Sequence, residues 1–320
     1  MKAIQWIISA LVAVVIIAAA VGGGVYFTRL KSIHSIRKLT DYENYNLYRM
    51  DIDYAYDLDR LIDRGITDNQ SMINAILAEA LPYLPIHMKA PNFGCSAFCT
   101  QGTDGHTLMG RNYDFKNDTS AMLVYCTPKD GYASVAFAAL DNINANTPDA
   151  SMAKKLATLT APFICLDGMN EKGVSIAVLT LDSDPTYQQT GKPMIATTLA
   201  IRLVLDRAAT TAEAVELLSK YDMFASSGRD YHFYITDASG DGRVLEYDCN
   251  DPARPLTVTP TSLSCTRITF CPTSATAFTA MAGSAMMPSR KSWMPMQAVL
   301  TGKLPGRPCR RPLRPPTRRM

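Results

Sequence analysis

Residues 94–115 read GCSAFCTQGTDGHTLMGRNYDF, and this stretch decides the fold. It carries Cys95 as its second residue, and the turn signal Asp104-Gly105 divides it into two runs that suit strands. Arg111 and Asp114 follow the cysteine by 16 and 19 positions. The pattern predicts a strand from Cys95, a tight turn, and a returning strand that brings Arg111 and Asp114 beside the start of the first strand.

A cysteine with such neighbours is suited to nucleophilic chemistry. An isolated thiol has a pKa of about 8.5 and is mostly protonated at neutral pH, whereas a nearby guanidinium favours the thiolate. Cleavage after Gly94 would also give Cys95 an α-amine with a pKa of about 8, which can serve as the general base for its own side chain. A lone cysteine in an apolar string is more often buried and inert, and Cys99 is expected to pack in this way. The spacing of Arg111 and Asp114 favours the nucleophile for Cys95.

The sequence beyond this stretch alternates between strand and helix patterns. Short β-type runs precede two helical segments, and a hairpin with a turn rich in Asp, Ser and Gly closes the series. The predicted strands lie at 122–126, 133–138, 174–179, 232–236 and 243–247, and the predicted helices at 197–207 and 211–220. This order predicts an α+β layered domain and not a parallel doubly wound sheet.

Three strings carry a resemblance to a known family. They are GCSAF to GRNYDF, then DGMNEKGVSIAVL at 167–179, then YHFYITDASGDGRVLEY at 231–247. In order and spacing they resemble the choloylglycine hydrolase and acid-ceramidase-like amidohydrolases, which include bile salt hydrolases, penicillin V acylases and N-acylethanolamine hydrolases. The resemblance implies a four-layer αββα sandwich of the N-terminal-nucleophile type and a hydrolase of linear amide C–N bonds.

The same resemblance implies roles for single residues. Cys95 becomes the nucleophile after autocleavage between Gly94 and Cys95, and Arg111 and Asp114 position and polarise it. The family holds the oxyanion with an Asn or Tyr side chain a few residues after the NEKG string, where this chain has Thr180. Asn170 is a second candidate for an oxyanion or substrate contact, although an Asn in this place more often caps a turn.

The expected substrate is a small-molecule N-acyl amide with an apolar acyl group, cleaved through a thioester intermediate. Two rivals stay open: an acyltransferase of the same fold, and an inactive membrane-anchored relative that binds lipid or protein. No cofactor is expected. The eight cysteines are irregularly spaced and the four histidines are scattered, so no metal site is predicted. The oligomeric state does not follow from the sequence.

The N-terminal part predicts a membrane anchor and a pre-segment. Trp6 to Phe27 is a run of 22 residues without charge, long enough to cross a bilayer as a helix. Residues 1–29 are therefore predicted to be an uncleaved transmembrane signal anchor, with a cleaved signal peptide as the alternative. The body is expected to be extracytoplasmic, although the basic residues after the run favour the cytoplasm. Residues 30–94 are predicted to be a helical pre-segment or propeptide with two amphipathic helices.

The C-terminal part differs in composition from the rest. The first 251 residues contain 21 basic and 29 acidic side chains, whereas residues 252–320 contain eleven basic and no acidic ones, so the basic pI does not indicate a nucleic-acid partner. The family's late Asn has no counterpart, since no Asn follows Asn250. Residues 95–260 are therefore predicted to be a C-terminally incomplete hydrolase domain. Residues 261–320 are predicted to be an aberrant basic tail from a shifted reading frame, with a genuine disordered tail as the alternative.

Overall fold

The computed structural model describes residues 22–82, 94–114, 118–181 and 183–261. At residues 94–96, 114 and 227 this description is limited to the backbone. The α-helices are α1 (22–34), α2 (Leu58–Asp63), α3 (Asn69–Ala80), α4 (Met152–Ala157), α5 (Thr197–Arg207) and α6 (Thr211–Ser219). The strands are β1 (Arg37–Lys38), β2 (Leu47–Ile52), β3 (Gly94–Gln101), β4 (Thr107–Asp114), β5 (Ala121–Cys126), β6 (Ser134–Ala139), β7 (Cys165–Asn170), β8 (Ser175–Leu181), β9 (Met194–Ala196), β10 (Asp222–Phe224), β11 (Asp230–Thr236), β12 (Gly242–Tyr247) and β13 (Leu256–Thr261).

One nine-stranded sheet organises the fold, in the order β1-β2-β5-β6-β7-β8-β11-β12-β13. Its strand pairs are antiparallel except for β2 with β5, which run parallel. Two small sheets, β3-β4 and β9-β10, accompany it. The predicted α+β class is confirmed in this coarse sense, because the fold mixes helices with a mainly antiparallel sheet.

The two faces of the large sheet are covered by different layers. Helix α5 packs on β7 and β8 and shares one apolar core with the side chains of Ile176, Val178 and Phe233. The intervening side chains point the other way, because successive residues of a strand face opposite sides of a sheet. On that second face Ala177 and Leu179 form a smaller apolar cluster with residues of the β3-β4 hairpin. A helical layer, the large sheet and the hairpin are thus stacked.

Local sequence signals determine where the helices begin. Helix α6 starts at Thr210, whose hydroxyl accepts a hydrogen bond from the Glu213 amide at 3.1 Å. The Glu213 carboxylate in turn accepts a hydrogen bond from the Ala209 amide at 2.7 Å, so both side chains stabilise the start of the helix. Helix α3 starts in the same way, with Asp68 and Ser71 forming a reciprocal capping box.

Two expectations about strands are corrected by the structure. Residues 30–94 were predicted to be helical, and α2 and α3 are present, but the same segment also supplies β1 and β2 to the large sheet. The last strand predicted from the sequence is 243–247, yet a further strand, β13, pairs with β12 along its whole length. Pro260 is accommodated in β13, where its missing N–H is tolerated, because β13 is the last strand of the described sheet.

The predicted membrane span lies mostly outside the described residues. Of the run from Trp6 to Phe27, the structure describes residues 22–27, which open α1. Within the described ranges no helix has both the length and the apolar character that a bilayer crossing requires. Most of the predicted basic tail, residues 262–320, is likewise outside the described part of the chain.

Candidate active site

The β3-β4 hairpin determines the geometry of the candidate site. Its strands pair over eight residues, from Gly94 with Asp114 to Gln101 with Thr107. The turn between them places Gly105 at φ +82°, a conformation that side chains disfavour, and the Gly105 amide donates to the Gly102 carbonyl at 3.0 Å. The hairpin predicted around Asp104-Gly105 is therefore confirmed.

The register of this hairpin brings the predicted residues together at one end. Asp114 lies opposite Gly94, Tyr113 lies opposite Cys95, and Arg111 lies opposite Ala97. The returning strand thus runs beside the start of the first strand, as the spacing predicts. The side chains of Cys95 and Asp114 are not among those described, so the roles of these two residues stay predictions.

Arg111 is held by a buried ion pair with Asp167 of β7. Its Nη1 lies 3.0 Å from Asp167 Oδ2, and its Nη2 donates to the Val178 carbonyl at 3.3 Å. The two side chains are 8 % and 10 % exposed. Its guanidinium carbon also lies 5.0 Å from the centre of the Tyr113 ring. These contacts fix the guanidinium between the hairpin and the large sheet.

Burial controls the protonation of Asp167. Removal from water raises the pKa of this carboxyl, whereas the Arg111 guanidinium and the Phe137 amide lower it, and the net result is a pKa above the usual value. No role for Asp167 was predicted from the sequence. The signal in the sequence was its position as the first residue of the DGMNEKG string. In the structure, the register of β7 with β8 sets Asp167 opposite Ala177, on the hairpin side of the sheet.

Thr180 lies on the other face of the large sheet from this ion pair. It is buried and pairs with Tyr231 across β8 and β11, and Tyr231 belongs to the core on the helical side. Val178, two positions earlier, also faces that core. The structure therefore does not bring the Thr180 side chain to Arg111, and its proposed contact with an oxyanion stays a prediction.

Asn170 serves a turn and a helix end. Its Oδ1 accepts from the Lys172 and Val174 amides, both at 3.1 Å, and its Nδ2 donates to the carbonyls of Leu205 and Ala208 at 3.1 and 2.7 Å. All four hydrogen-bonding positions of the amide are thus used on the side of the sheet that α5 covers. This arrangement agrees with the turn-capping alternative and not with a contact to substrate.

Two further side chains on the hairpin face have structural contacts. Cys99 is buried, with its Sγ 3.7 Å from Thr236 Oγ1, which agrees with the expectation that it packs. The buried His232 ring has its Nδ1 2.9 Å from Glu246 Oε1. Neither contact involves Arg111 or Asp167.

The segment that contains the hairpin, its paired arginine and most of the antiparallel sheet matches a known protein family. The family model described as "Linear amide C-N hydrolases, choloylglycine hydrolase family" matches residues 95–251. This part of the chain is similar to the choloylglycine hydrolase family, and the resemblance inferred from the three strings is confirmed.

Solved structures of the same kind are similar to the chain over part of its length. A variant of conjugated bile acid hydrolase from Clostridium perfringens has 21 % identity and a TM-score of 0.40, over 56 % of this chain and 54 % of its own. Penicillin V acylase from Agrobacterium tumefaciens has 19 % identity and a TM-score of 0.32, over 59 % of this chain and 48 % of its own. The chain therefore spans about half the length of these structures.

Proposed function

We propose that this protein hydrolyses linear amide C–N bonds with Cys95 as an N-terminal nucleophile, which cleavage after Gly94 releases. The register of β3 with β4 is the main support, because it sets Asp114 opposite Gly94 and Tyr113 opposite Cys95, where the segment that matches the family begins. The proposed domain is the four-layer αββα sandwich. In this proposal the helical layer, the large sheet and the hairpin would be three of its four layers.

The proposed reaction has two steps. Cys95 Sγ attacks the amide carbonyl while the α-amine of the same residue accepts the thiol proton, and this proton then passes to the leaving nitrogen as the C–N bond breaks. The acyl group remains as a thioester. Water attacks the thioester carbonyl, the acid is released, and the thiol regains a proton.

The neighbouring groups have separate roles in this proposal. The Arg111 guanidinium favours the thiolate by its charge, and Asp114 orients the α-amine. Backbone N–H groups would stabilise the oxyanion, a contribution of about 3 kcal/mol for one donor. The hydroxyl of Thr180 is a candidate second donor. Asn170 would have to give up part of its hydrogen bonding to contribute.

The proposed substrate is an N-acyl amide with an apolar acyl group, and the family description supports the linear amide C–N bond in it. An acyltransferase would use the same thioester and pass it to an amine. Product analysis with and without an added primary amine separates the two: free acid in both reactions supports the hydrolase, and a new amide identifies the transferase.

Intact-mass measurement of the purified protein tests the proposal. We expect a fragment that begins at Cys95, and we expect Cys95→Ala to remain uncleaved and inactive. Cys99→Ser is the matched control in the same strand, and it should cleave normally because Cys99 packs against Thr236. Turnover by a single uncleaved chain would refute the mechanism.

A further inference from the structure

The proposed self-cleavage needs a proton acceptor that the nucleophile cannot supply by itself. Before cleavage the nitrogen of Cys95 belongs to the peptide bond with Gly94, and its lone pair is delocalised into the carbonyl group, so it is not basic. The α-amine that acts as general base in the proposed amide hydrolysis exists only after this bond has been cut. A different group must therefore accept the thiol proton during cleavage.

His232 presents a buried ring nitrogen on the hairpin side of the large sheet. It lies between Tyr231 and Phe233 on β11, and both of these face the core on the helical side, so strand alternation directs His232 toward the hairpin. Its Nδ1 lies 2.9 Å from Glu246 Oε1 on β12, and its side chain is 4 % exposed. Its Nε2 is buried and, within the described part of the chain, has no hydrogen-bond partner.

The contact with Glu246 determines the tautomer of this ring. A carboxylate accepts hydrogen bonds and does not donate them, so we assign the proton of the neutral imidazole to Nδ1, which leaves Nε2 as an acceptor. A histidine in this tautomer, oriented by a carboxylate, has the arrangement of a general base. The pair of His232 with Glu246 can therefore accept a proton from a group that reaches Nε2.

Strands β3 and β11 run in step where the hairpin covers the large sheet. Cys99 Sγ lies 3.7 Å from Thr236 Oγ1. Two positions earlier on each strand, Ala97 and Tyr234 share one apolar cluster. Two positions earlier again are the nucleophile position on β3 and His232 on β11. Because stacked sheets lie about 10 Å apart, facing side chains at the same level can meet.

The buried carboxylates near this part of the fold are engaged with other groups. Asp167 forms the ion pair with Arg111. Asp206 belongs to α5 on the opposite face of the sheet, and its two carboxylate oxygens lie 3.0 and 3.1 Å from the Tyr56 hydroxyl. His232 is therefore better placed than either carboxylate to accept the thiol proton.

We propose that His232, oriented by Glu246, is the general base for cleavage of the bond between Gly94 and Cys95. This inference rests on the cleavage contained in the proposed function. Nε2 accepts the proton of the Cys95 thiol, the sulfur attacks the Gly94 carbonyl carbon, and the proton passes from His232 to the nitrogen of Cys95 as the C–N bond breaks. Water then hydrolyses the resulting thioester, which releases the carboxylic acid of Gly94 and restores the thiol.

Timed cleavage of His232 variants tests this role. The full chain is synthesised in a cell-free system with mild detergent, and intact mass follows the appearance of the fragment that begins at Cys95. We expect His232→Gln to cleave about 100-fold more slowly than the wild type, since general-base catalysis contributes about that factor or more. Glu246→Gln should cleave about 10-fold more slowly, because the ring loses its fixed orientation. His106→Gln is the matched control and should cleave at the wild-type rate, because His106 is exposed in the hairpin turn.

Chemical rescue separates a base from a structural residue. In His232→Ala the missing ring leaves space, and added imidazole should restore cleavage in proportion to its concentration. A histidine needed only for folding gives no such recovery, so slow cleavage without rescue overturns the inference. Cleavage of His232→Gln at the wild-type rate also overturns it and leaves the proposed function intact. An uncleaved wild-type chain overturns both, and its intact mass identifies that outcome.

Discussion

The buried ion pair of Arg111 with Asp167 fixes the position of the guanidinium more than it stabilises the folded protein. The pKa of Asp167 is raised because the loss of hydration disfavours the charged carboxylate more than the attraction of Arg111 stabilises it. The carboxylate therefore gives little net stabilisation in its charged form, although it holds the guanidinium in place. We regard Asp167 as a positioning residue that acts on Cys95 through Arg111.

Replacement of Asp167 should separate stability from function. For Asp167→Asn we expect the free energy of unfolding to stay within about 1 kcal/mol of the wild-type value, because a neutral amide avoids the cost of a buried charge. The rate of self-cleavage should fall about 10- to 100-fold, because Arg111 loses its fixed position. Urea denaturation and a timed cleavage assay measure the two quantities. A loss of unfolding free energy large enough to account for the slower self-cleavage would indicate that Asp167 is a purely structural residue.

The pH dependence of stability follows from the direction of this pKa shift. The native state retains a proton on Asp167 at a pH where the unfolded chain has released it, so the stability contributed by this group is present in full below the unfolded pKa of about 3.9. It decreases as the pH rises through the raised native pKa. The difference in unfolding free energy between wild type and Asp167→Asn should therefore shift against the wild type over that interval.

Thiol reactivity distinguishes a nucleophile from packed cysteines. Burial raises the pKa of Cys126 to about 11 and raises the pKa of Cys165 well above its usual value, so both thiols should react slowly with iodoacetamide at pH 7.5. Cys249 is exposed and would also react, so it is replaced by serine together with the three later cysteines. In the protein that carries these serine replacements, Cys95 should react with iodoacetamide faster than the remaining cysteines. The substitution Arg111→Leu should lower the labelling rate of Cys95. Labelling of Cys95 at the rate of Cys165 would indicate a structural cysteine.

At the scale of the element, the β3-β4 hairpin depends on its turn. Gly105 has a positive φ, which costs most residues about 1–2 kcal/mol but which Asn tolerates. We expect Gly105→Val to slow self-cleavage and lower stability by about that amount, and Gly105→Asn to change both much less. Thermal unfolding and the cleavage assay provide the comparison. Equal effects of the two substitutions would show that the turn conformation does not control the site.

Strands and turns with local signals were predictable from the sequence. The hairpin of β11 and β12, helix α5 and the cap of α6 follow from alternation, periodicity and a capping pair. Strand β2 has the same alternating burial, but its partner β5 is distant in the chain, as the contact of Asn46 with Ser120 across 74 positions shows. A pairing of this kind is set by the tertiary fold, and the neighbouring helical pattern obscured it.

The candidate site, like the fold, was predictable only where the sequence carries a local signal. The position of Arg111 opposite the start of β3 follows from the turn and the spacing alone. Its partner Asp167 lies on a different strand, 56 positions later, so no local pattern connects the two. Asn170 has the residue type expected of a substrate contact, but strand alternation directs it to the helical side.

In the whole molecule, three neighbouring strands of the large sheet have apolar side chains that the described residues leave partly exposed. Tyr125, Phe137 and Met169 lie on the side of β5, β6 and β7 away from the helices and are 37 %, 42 % and 49 % exposed. The hairpin β3-β4 covers the neighbouring part of this face. An apolar sheet face of this kind favours association with other chains.

Comparison of two C-terminal sequences tests whether this face lacks a natural cover. We expect the chain as given to aggregate or to show little activity, and a chain continued in the shifted reading frame after about Pro260 to be soluble and to cleave itself. Soluble yield, self-cleavage and amide hydrolysis are measured for both. Full solubility and activity of the chain as given would show that the frame-shift hypothesis is wrong.

The contact of Tyr56 with Asp206 has a consequence for the order of events in folding. The two residues are 150 positions apart in the chain. Contacts of such separation form late in folding, because closing the long loop costs chain entropy before the contact can stabilise the structure. While the chain is continuous, the tether keeps the segment before Cys95 and the rest of the chain at an effective concentration far above that of separate molecules in a cell. Scission before sheet closure would turn this step into a bimolecular encounter between aggregation-prone fragments. If the proposed scission takes place, sheet closure would have to be faster than scission, and the appearance of the new N-terminus at Cys95 would then report that folding is complete.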